Sequence, residues 1–376
     1  MSIFAIFVMI VAFFMERLYP IVFARFMVGI ISGVFSCSVP IYLSEIAPVR
    51  NRGMVCSCFS IFQAVGVLTA YLCSNTEYGG HNQWLFLIML PIIPIIMQFI
   101  LMGHCRSSPR FLLIKKQQYD QAFKSLQWFR RTEHLHLLEQ ELDEMAQELP
   151  DSMLYVSDYD RWRRLLHIKS VRKPILVSIL VMCAQQFSGV NVFILYSTAL
   201  FEEDGVPLYF CHAGTITMGV VLLVMSIVSM LLVEVTGRRM LMLYGYVGIF
   251  VFTLMYYLTH LYNETLEGPL ECVGAVGGLF IWFFVFHFAL GPNSVPWILT
   301  PELFNQACRP KAVTMAAFCY WLANTLGALV WPITEVIGPH LFLLNLFVQL
   351  IFFFLLYKYV PETSNKTITE ITAMYK

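Results

Sequence analysis

The stretch from Gly205 to Val233 reads GVPLYFCHAGTITMGVVLLVMSIVSMLLV and contains no Asp, Glu, Lys or Arg. A helix of about 20 mostly apolar residues crosses the hydrocarbon core of a bilayer, so this run predicts a membrane span. It is too long and too evenly apolar for a barrel strand, whose side chains alternate between lipid and lumen. Helices and closed barrels alone satisfy their backbone N–H and C=O groups in lipid, and the run therefore implies an all-helical membrane fold.

Working outward, comparable charge-free stretches lie at 26–44, 53–76, 78–105, 174–201, 240–263, 272–301, 312–334 and 336–357. The apolar block 1–15 ends at Glu16-Arg17 and has neither a basic leader nor a small-residue cleavage site. It reads as a shortened or tilted span rather than a signal peptide. Ten spans are expected. Composition agrees: 58% of the 376 residues are hydrophobic and 13% charged, against about 25% charged in soluble domains. A formal net charge of zero argues against a nucleic-acid partner. Cys37, Cys56, Cys183 and Cys319 fall inside apolar runs and read as small buried side chains, not as a disulfide scaffold.

If both termini lie on one side, that side receives 22 of the 24 Lys and Arg, including thirteen between Arg106 and Lys173, and the other keeps Arg17 and Arg25. The positive-inside rule then places both termini in the cytoplasm.

Two of the expected cytoplasmic span ends share a pattern. Pro40-Ile-Tyr42-Leu-Ser-Glu45 is followed by Arg52-Gly53, and Pro296-Trp297-Ile-Leu-Thr-Pro-Glu302 by Arg309-Pro310; in both, Glu precedes Arg by seven positions. Looser echoes follow two spans later, at Ser-Pro109-Arg110 and Pro361-Glu362-Thr363. The chain thus reads as two related halves, in which spans one to four pair with spans seven to ten. The expected layout is an incomplete four-span bundle over 1–103, a cytoplasmic linker with short helices over 104–173, a six-helix bundle over 174–359 and a cytoplasmic tail over 360–376. Two spans ahead of Met1 are expected to be missing. Parallel six-helix halves around a midplane site are one transporter architecture.

These residues resemble a known family. Gln185-Gln186-Phe-Ser188-Gly189-Val-Asn191 with Tyr196-Ser-Thr198, Glu234-Val-Thr-Gly237-Arg238-Arg239, Gly291-Pro292 with Pro296-Trp297, Glu302-Leu-Phe304 with Arg309-Pro310, and Pro361-Glu362-Thr363 are similar to motifs of the sugar porters, notably the facilitative glucose transporters. Arg25-Phe26, Pro40-Ile-Tyr42 with Ser44-Glu45, and Arg52-Gly53 match in the first half. The resemblance implies a major facilitator fold, with ten of the usual twelve spans present (four plus six). It also departs in places: Asn293-Ser294 replaces a second Gly-Pro, and Met182-Cys183-Ala184 precedes the double glutamine.

A carrier of neutral sugars needs uncharged groups that both donate and accept hydrogen bonds, together with an aromatic surface. Gln63, Gln185, Gln186, Asn191 and Asn324 lie well inside apolar runs. Any one alone would read as a helix–helix hydrogen bond. By resemblance they are the hexose-contacting positions, with Trp297 and Trp321 as the aromatic ones. On a straight helix Gln186 and Asn191 stand about 140° apart, so sharing a face requires a break, for which Ser188-Gly189 is suited. Gly189, Pro292 and Pro296 are the candidate hinges. The resemblance further implies cytoplasmic gating ion pairs among Glu45, Arg52, Glu234, Arg238, Arg239, Glu302 and Arg309, each worth about 1 kcal/mol or less when exposed.

The sequence contains no catalytic triad, metal cluster or phosphate loop, so no enzyme activity, metal or cofactor is expected. Asn263-Glu264-Thr265 is a glycosylation sequon. The function implied is facilitated diffusion of a hexose or related sugar by a multi-pass protein, in the family most often at the plasma membrane. The alternatives are a proton-coupled sugar symporter and a truncated, non-transporting isoform or sugar sensor.

Overall fold

The computed structural model describes residues 1–74, 83–132, 134–147, 169–265, 270–305, 308–329, 340–364, 366 and 368–375. Helices dominate, and the chain divides into two compact units: Met1–Ile46 with Thr69–Gln147, and Ala47–Leu68 with Glu148–Lys376. Among the described residues, eight helical stretches are long and apolar enough to cross a membrane: Leu18–Ile46, Val49–Ser74, Leu85–Met102, Val171–Glu203, Leu208–Thr236, Arg238–Asn263, Cys272–Glu302 and Leu341–Tyr359. Ser2–Met15 is a shorter apolar helix. The expected spans 53–76, 78–105, 312–334 and 336–357 each run partly outside the described residues.

In the first unit, α1 (Ser2–Met15) packs on α2 (Leu18–Ile46). The fully buried Ala5 of α1 and Ala24 of α2 are among their few enclosed side chains. Most larger side chains of α2 face outward, as in a helix surrounded by lipid: Tyr19 is 87% exposed and Phe26 64%. Ala47-Pro48 ends α2, since a residue before proline is pushed out of the helical region. The helix α3 (Arg52–Ser74) passes from the second unit into the first at Leu68–Thr69. Two further helices, α4 (Gln83–Met89) and α5 (Ile92–Met102), meet at Leu90-Pro91.

Within the expected linker stand α6 (Tyr119–Arg130) and α7 (Leu135–Gln147). Each has apolar residues at four-residue spacing (Ala122 and Leu126; Leu138 and Leu142), which close a small core with Leu112 and Met145. A forked ion pair ties the two helices: Arg130 Nε lies 3.0 Å from Glu141 Oε2 and its Nη2 2.5 Å from Oε1. Arg130 Nη1 also donates to the Ile46 carbonyl at the end of α2 (2.9 Å).

The second unit contains α8 (Lys169–Gln186), α9 (Val190–Glu203), α10 (Leu208–Thr236), α11 (Arg238–Glu264), α12 (Glu271–Leu290), α13 (Val295–Glu302), α14 (Arg309–Ala328), α15 (Leu341–Tyr359) and α16 (Ile368–Ala373). Two of its spans are broken. Between α8 and α9, Gly189 adopts φ +88°, a left-handed conformation that costs L-residues with a Cβ. Between α12 and α13 the chain turns at Gly291-Pro292, and Gly245 of α11 leaves the space that the Pro292 ring fills. Phe252 of α11 stacks on Phe283 of α12, centroids 5.0 Å apart and planes 18° from parallel.

Candidate functional site: an amide cluster and a buried charge network

The break after Gln186 changes the direction of the chain, so that Gln186 and Asn191 meet although the straight-helix angle would separate them. Asn191 Nδ2 donates to Gln186 Oε1 (3.0 Å). From α14, Asn324 Nδ2 donates to the same oxygen (3.0 Å) and approaches Asn191 Oδ1 (3.3 Å). Three amides from three helices thus converge. One turn before Asn324, the buried Tyr320 hydroxyl is in hydrogen-bonding reach of both Gln186 and Gln63. Gln63 stands on the exposed side of α3 and joins the cluster through that hydroxyl.

Trp297 is 1% exposed and packs against Phe59 and Tyr320, both with ring centroids at 4.8 Å, and against Met182 and Ala316. Its indole N–H has no hydrogen-bond acceptor among the described residues. Trp321, next along α14 from Tyr320, is 38% exposed and meets the Tyr320 ring edge-on at 5.3 Å. Gln185 belongs to a second polar set. Its Nε2 donates to the Asn293 carbonyl (3.3 Å), which also accepts from Ser60 Oγ (3.3 Å), while Asn293 Nδ2 donates to Ser226 Oγ (3.2 Å). Gln185 Oε1 is buried with no donor among the described residues. Sequence reasoning missed Ser60 as a site residue and read Asn293 only as a departure from the family pattern; Tyr320 was read only as sharing a helix face with Asn324. The four-residue spacing of Tyr320 from Asn324 is the signal that places both on one face.

At the other end of α10 and α11 lies a charge network. Arg238 is 1% exposed; its Nη1 lies 2.6 Å from Glu234 Oε2 and its Nη2 3.2 Å from Glu302 Oε1. Glu234 Oε1 accepts the backbone N–H groups of Gly53 (2.7 Å) and Met54 (3.3 Å), holding the positive N-terminus of α3. Glu302 Oε2 accepts from Thr363 Oγ1 (2.7 Å). Glu362 takes the N–H groups of Arg238 and Arg239, both at 3.0 Å, at the start of α11. These pairs are buried, so the small value expected for exposed pairs does not carry over.

Arg309 is also buried, and its guanidinium is fixed by the carbonyls of Pro301 (3.0 Å) and Phe304 (3.0 Å) at the end of α13. Arg52 is buried at the first turn of α3; the Cys56 thiol, one turn on, feels Arg52, Arg238, Arg309 and Glu302 together. Arg239 is partly exposed, donating to the Tyr357 carbonyl (2.7 Å) and lying over that residue's ring. Glu45 is buried at the end of α2, in the first unit. Glu362 and Thr363 read in the sequence as part of a repeat, but nothing in their spacing indicates that they bind α11 and Glu302.

The sequon residue Asn263 is 6% exposed. Its Nδ2, the atom a glycan would occupy, donates to the Asp204 carbonyl (2.8 Å), and its Oδ1 accepts from Leu270 N–H (2.8 Å). Nearby, His260 Nδ1 lies 2.6 Å from Asp204 Oδ1. No group of three or more metal-binding side chains forms among the described residues.

Two broken spans, amides converging between membrane-length helices and ion pairs at the helix ends make up the candidate site. The fold is that of a proton:xylose symporter, XylE, bound to 6-bromo-6-deoxy-D-glucose: TM-score 0.78 at 24% identity, covering 95% of this chain and 74% of that one. A partially occluded inward-open form of the E. coli xylose transporter gives a TM-score of 0.66 at 22% identity, covering 93% of this chain and 72% of that chain. The chain belongs to the sugar (and other) transporter family, whose model matches residues 1–375. Mouse facilitated glucose transporter member 2 of solute carrier family 2 is 32% identical over 364 residues, 95% of this chain and 66% of that protein. Human member 4 is 33% identical over 363 residues, 94% and 68% respectively. The chain thus spans about two thirds of the length of these relatives. It is a multi-pass membrane protein.

Proposed function

We propose that this chain carries a hexose or a related neutral sugar down its gradient by facilitated diffusion with alternating access, acting as a carrier and not as an enzyme. The observation that carries the reading is Gln186 Oε1 accepting from both Asn191 and Asn324. Neutral amides held against one another inside apolar helices can exchange those hydrogen bonds for the hydroxyls of a sugar at little net cost. The buried Trp297 indole N–H and Gln185 Oε1, a donor and an acceptor without partners among the described residues, suit the same ligand. Gln63, Gln185, Gln186, Asn191, Trp297, Trp321 and Asn324 are the proposed binding residues. Gly189, Pro292 and Pro296 are the proposed hinges. Glu45, Arg52, Glu234, Arg238, Arg239, Glu302 and Arg309 are proposed to hold the cytoplasmic ends closed.

The proposed layout keeps 1–103 as the N-terminal bundle, 104–173 as the cytoplasmic linker, 174–359 as the C-terminal bundle and 360–376 as the tail. The Lys and Arg distribution supports cytoplasmic termini, and the plasma membrane is the proposed address. Uptake of labelled glucose and xylose in yeast lacking its own hexose carriers tests the reading. Saturable uptake that glucose competes away is expected; no uptake above the empty host, with the protein present in the membrane, refutes it.

Proton-coupled symport is the second reading, favoured by one observation: Asp204 is a 2%-exposed carboxylate paired with His260 at the end of α9. A protonophore abolishes accumulation by a symporter and leaves equilibration by a uniporter unchanged.

A further inference from the structure

We propose that Gln349, on α15, is a positioning residue that holds the break between α8 and α9 open, and so sets the geometry in which Gln186 and Asn191 share a ligand. Asn345 and Gln349 are the two polar side chains between Leu341 and Leu356, where every other residue is apolar. They stand four apart and face the same neighbour. Gln349 is fully buried, and its Nε2 donates to the Ser188 carbonyl (2.6 Å) and to Thr253 Oγ1 of α11 (3.2 Å). The Asn345 amide sits against the face of Gly189 where a Cβ would project.

The carbonyl that Gln349 binds is one the break has orphaned. In an unbroken helix the N–H of Val192 would donate to the Ser188 carbonyl; here it donates to Gly189 instead (3.1 Å). Ser188 Oγ turns back to the Gln185 carbonyl (2.7 Å), and the Tyr246 hydroxyl of α11 donates to the Ala184 carbonyl. A backbone carbonyl without a donor costs several kcal/mol in a membrane interior. A broken span therefore needs a fixed donor for each group it frees, and Gln349 supplies the one at the apex. On another side the break borders a cavity of about 210 Å³ lined in part by Gln186, Gly189, Asn191, Gly327 and Asn345. Gln349 does not line that cavity, so its effect on a ligand there would be exerted through the backbone it holds.

The consequence for transport rests on the carrier reading; the positioning itself does not, and two measurements separate them. In the full chain, reconstituted in nanodiscs, Gln349→Met keeps the length and volume of the side chain and removes its N–H donors. Amide hydrogen exchange over 187–192 is expected to accelerate at least tenfold, while α10 stays as in the wild type. Thr253→Val, which removes the other acceptor and leaves the Ser188 bond intact, is expected to change exchange there little. In uptake assays the Gln349→Met KM is expected to rise roughly three- to twenty-fold, the range that interhelical hydrogen bonds span in membranes, at unchanged Vmax per copy in the membrane. Unchanged exchange over 187–192 overturns the proposal whatever uptake does, and so does an equal acceleration in Thr253→Val. If Gln349→Met does not fold, Gln349→His, which retains a ring N–H, must fold and keep slow exchange at the break; fast exchange in that variant is equally fatal. Absence of uptake by the wild type would refute the carrier function and leave the exchange experiment to decide the positioning role.

Discussion

The second unit buries two polar regions that solve opposite problems. In the amide cluster, Asn191 and Asn324 are half-buried and neutral, they share one acceptor on Gln186, and nearby Gln185 and Trp297 keep an acceptor and a donor unused among the described residues. In the charge network, both oxygens of Glu234, Glu302 and Glu362 hold a donor, and Arg238 and Glu302 are 1% and 2% exposed. The cluster can trade its bonds for a ligand's. The network cannot lose a partner without leaving a charge stranded in low dielectric. Ligand affinity should therefore respond to the first region, and stability to the second.

The largest expected effect tests the network. Arg238→Ala strands Glu302 and Glu234 and also removes the group bound to Ser364 Oγ (2.9 Å). A loss of about 3–5 kcal/mol is expected, read as a collapse in thermal stability of the detergent-solubilised protein and in the amount reaching the membrane. A near-neutral Arg238→Ala would erase the distinction between the regions.

Gly53→Ala probes the same network without removing a charge. A Cβ at Gly53 would stand 2.7 Å from Arg238 Nη2 and 2.8 Å from Glu234 Oε1, closer than real Cβ contacts allow. The ion pair must shift or the start of α3 must retreat from it, at a cost of about 1–3 kcal/mol. The melting temperature should fall, by less than in Arg238→Ala. No change in melting would mean that the N-terminus of α3 is not docked on Glu234.

How far the sequence carried these conclusions differs between the regions. The all-helical membrane fold was legible from charge-free runs such as 205–233, because lipid forces a simple rule on composition. Gln186, Asn191 and Asn324 were legible as amides in apolar runs, since such residues are costly there without a partner. Their convergence also needed Gly189 at φ +88°, which the glycine alone does not dictate. The network was half legible. Glu234 and Arg238 are four positions apart across the Gly237 break between α10 and α11, but the bonds from Thr363 to Glu302 and from Glu362 to the start of α11 join residues more than sixty positions apart. Spacing along a helix says nothing about such pairs. Ser60 and Asn293 were overlooked as site residues for the same reason: the key acceptor is a backbone carbonyl, which every residue has.

A smaller effect is expected in the amide cluster. Asn324→Leu removes one donor to Gln186 and leaves that oxygen bonded to Asn191. Interhelical hydrogen bonds of this kind average about 0.6 kcal/mol and reach about 1.7. The uptake KM should rise, and thermal stability should fall by no more than that hydrogen bond is worth, far less than in Arg238→Ala. Equal losses in stability and affinity would make the cluster a packing device like the network, and would count against a binding role.

The smallest effect belongs to Arg239, the neighbour of Arg238 in sequence and its opposite in setting. Its half-exposed guanidinium donates to the Tyr357 carbonyl and lies 5.6 Å from that ring's centroid. Water can replace both contacts, so Arg239→Ala should cost about 1 kcal/mol or less. The Glu362 contact survives the substitution, because Glu362 Oε2 accepts from the backbone N–H of Arg239 and not from its side chain. Glu362→Gln is therefore the informative companion: it keeps the shape of the side chain while weakening a charge-assisted cap on the start of α11. A melting loss larger in Glu362→Gln than in Arg239→Ala would place the value of this end of the network in the carboxylate that caps the helix. The reverse order would place it in the surface cation, and the contrast between buried network and exposed rim would fail at the point where the two adjoin.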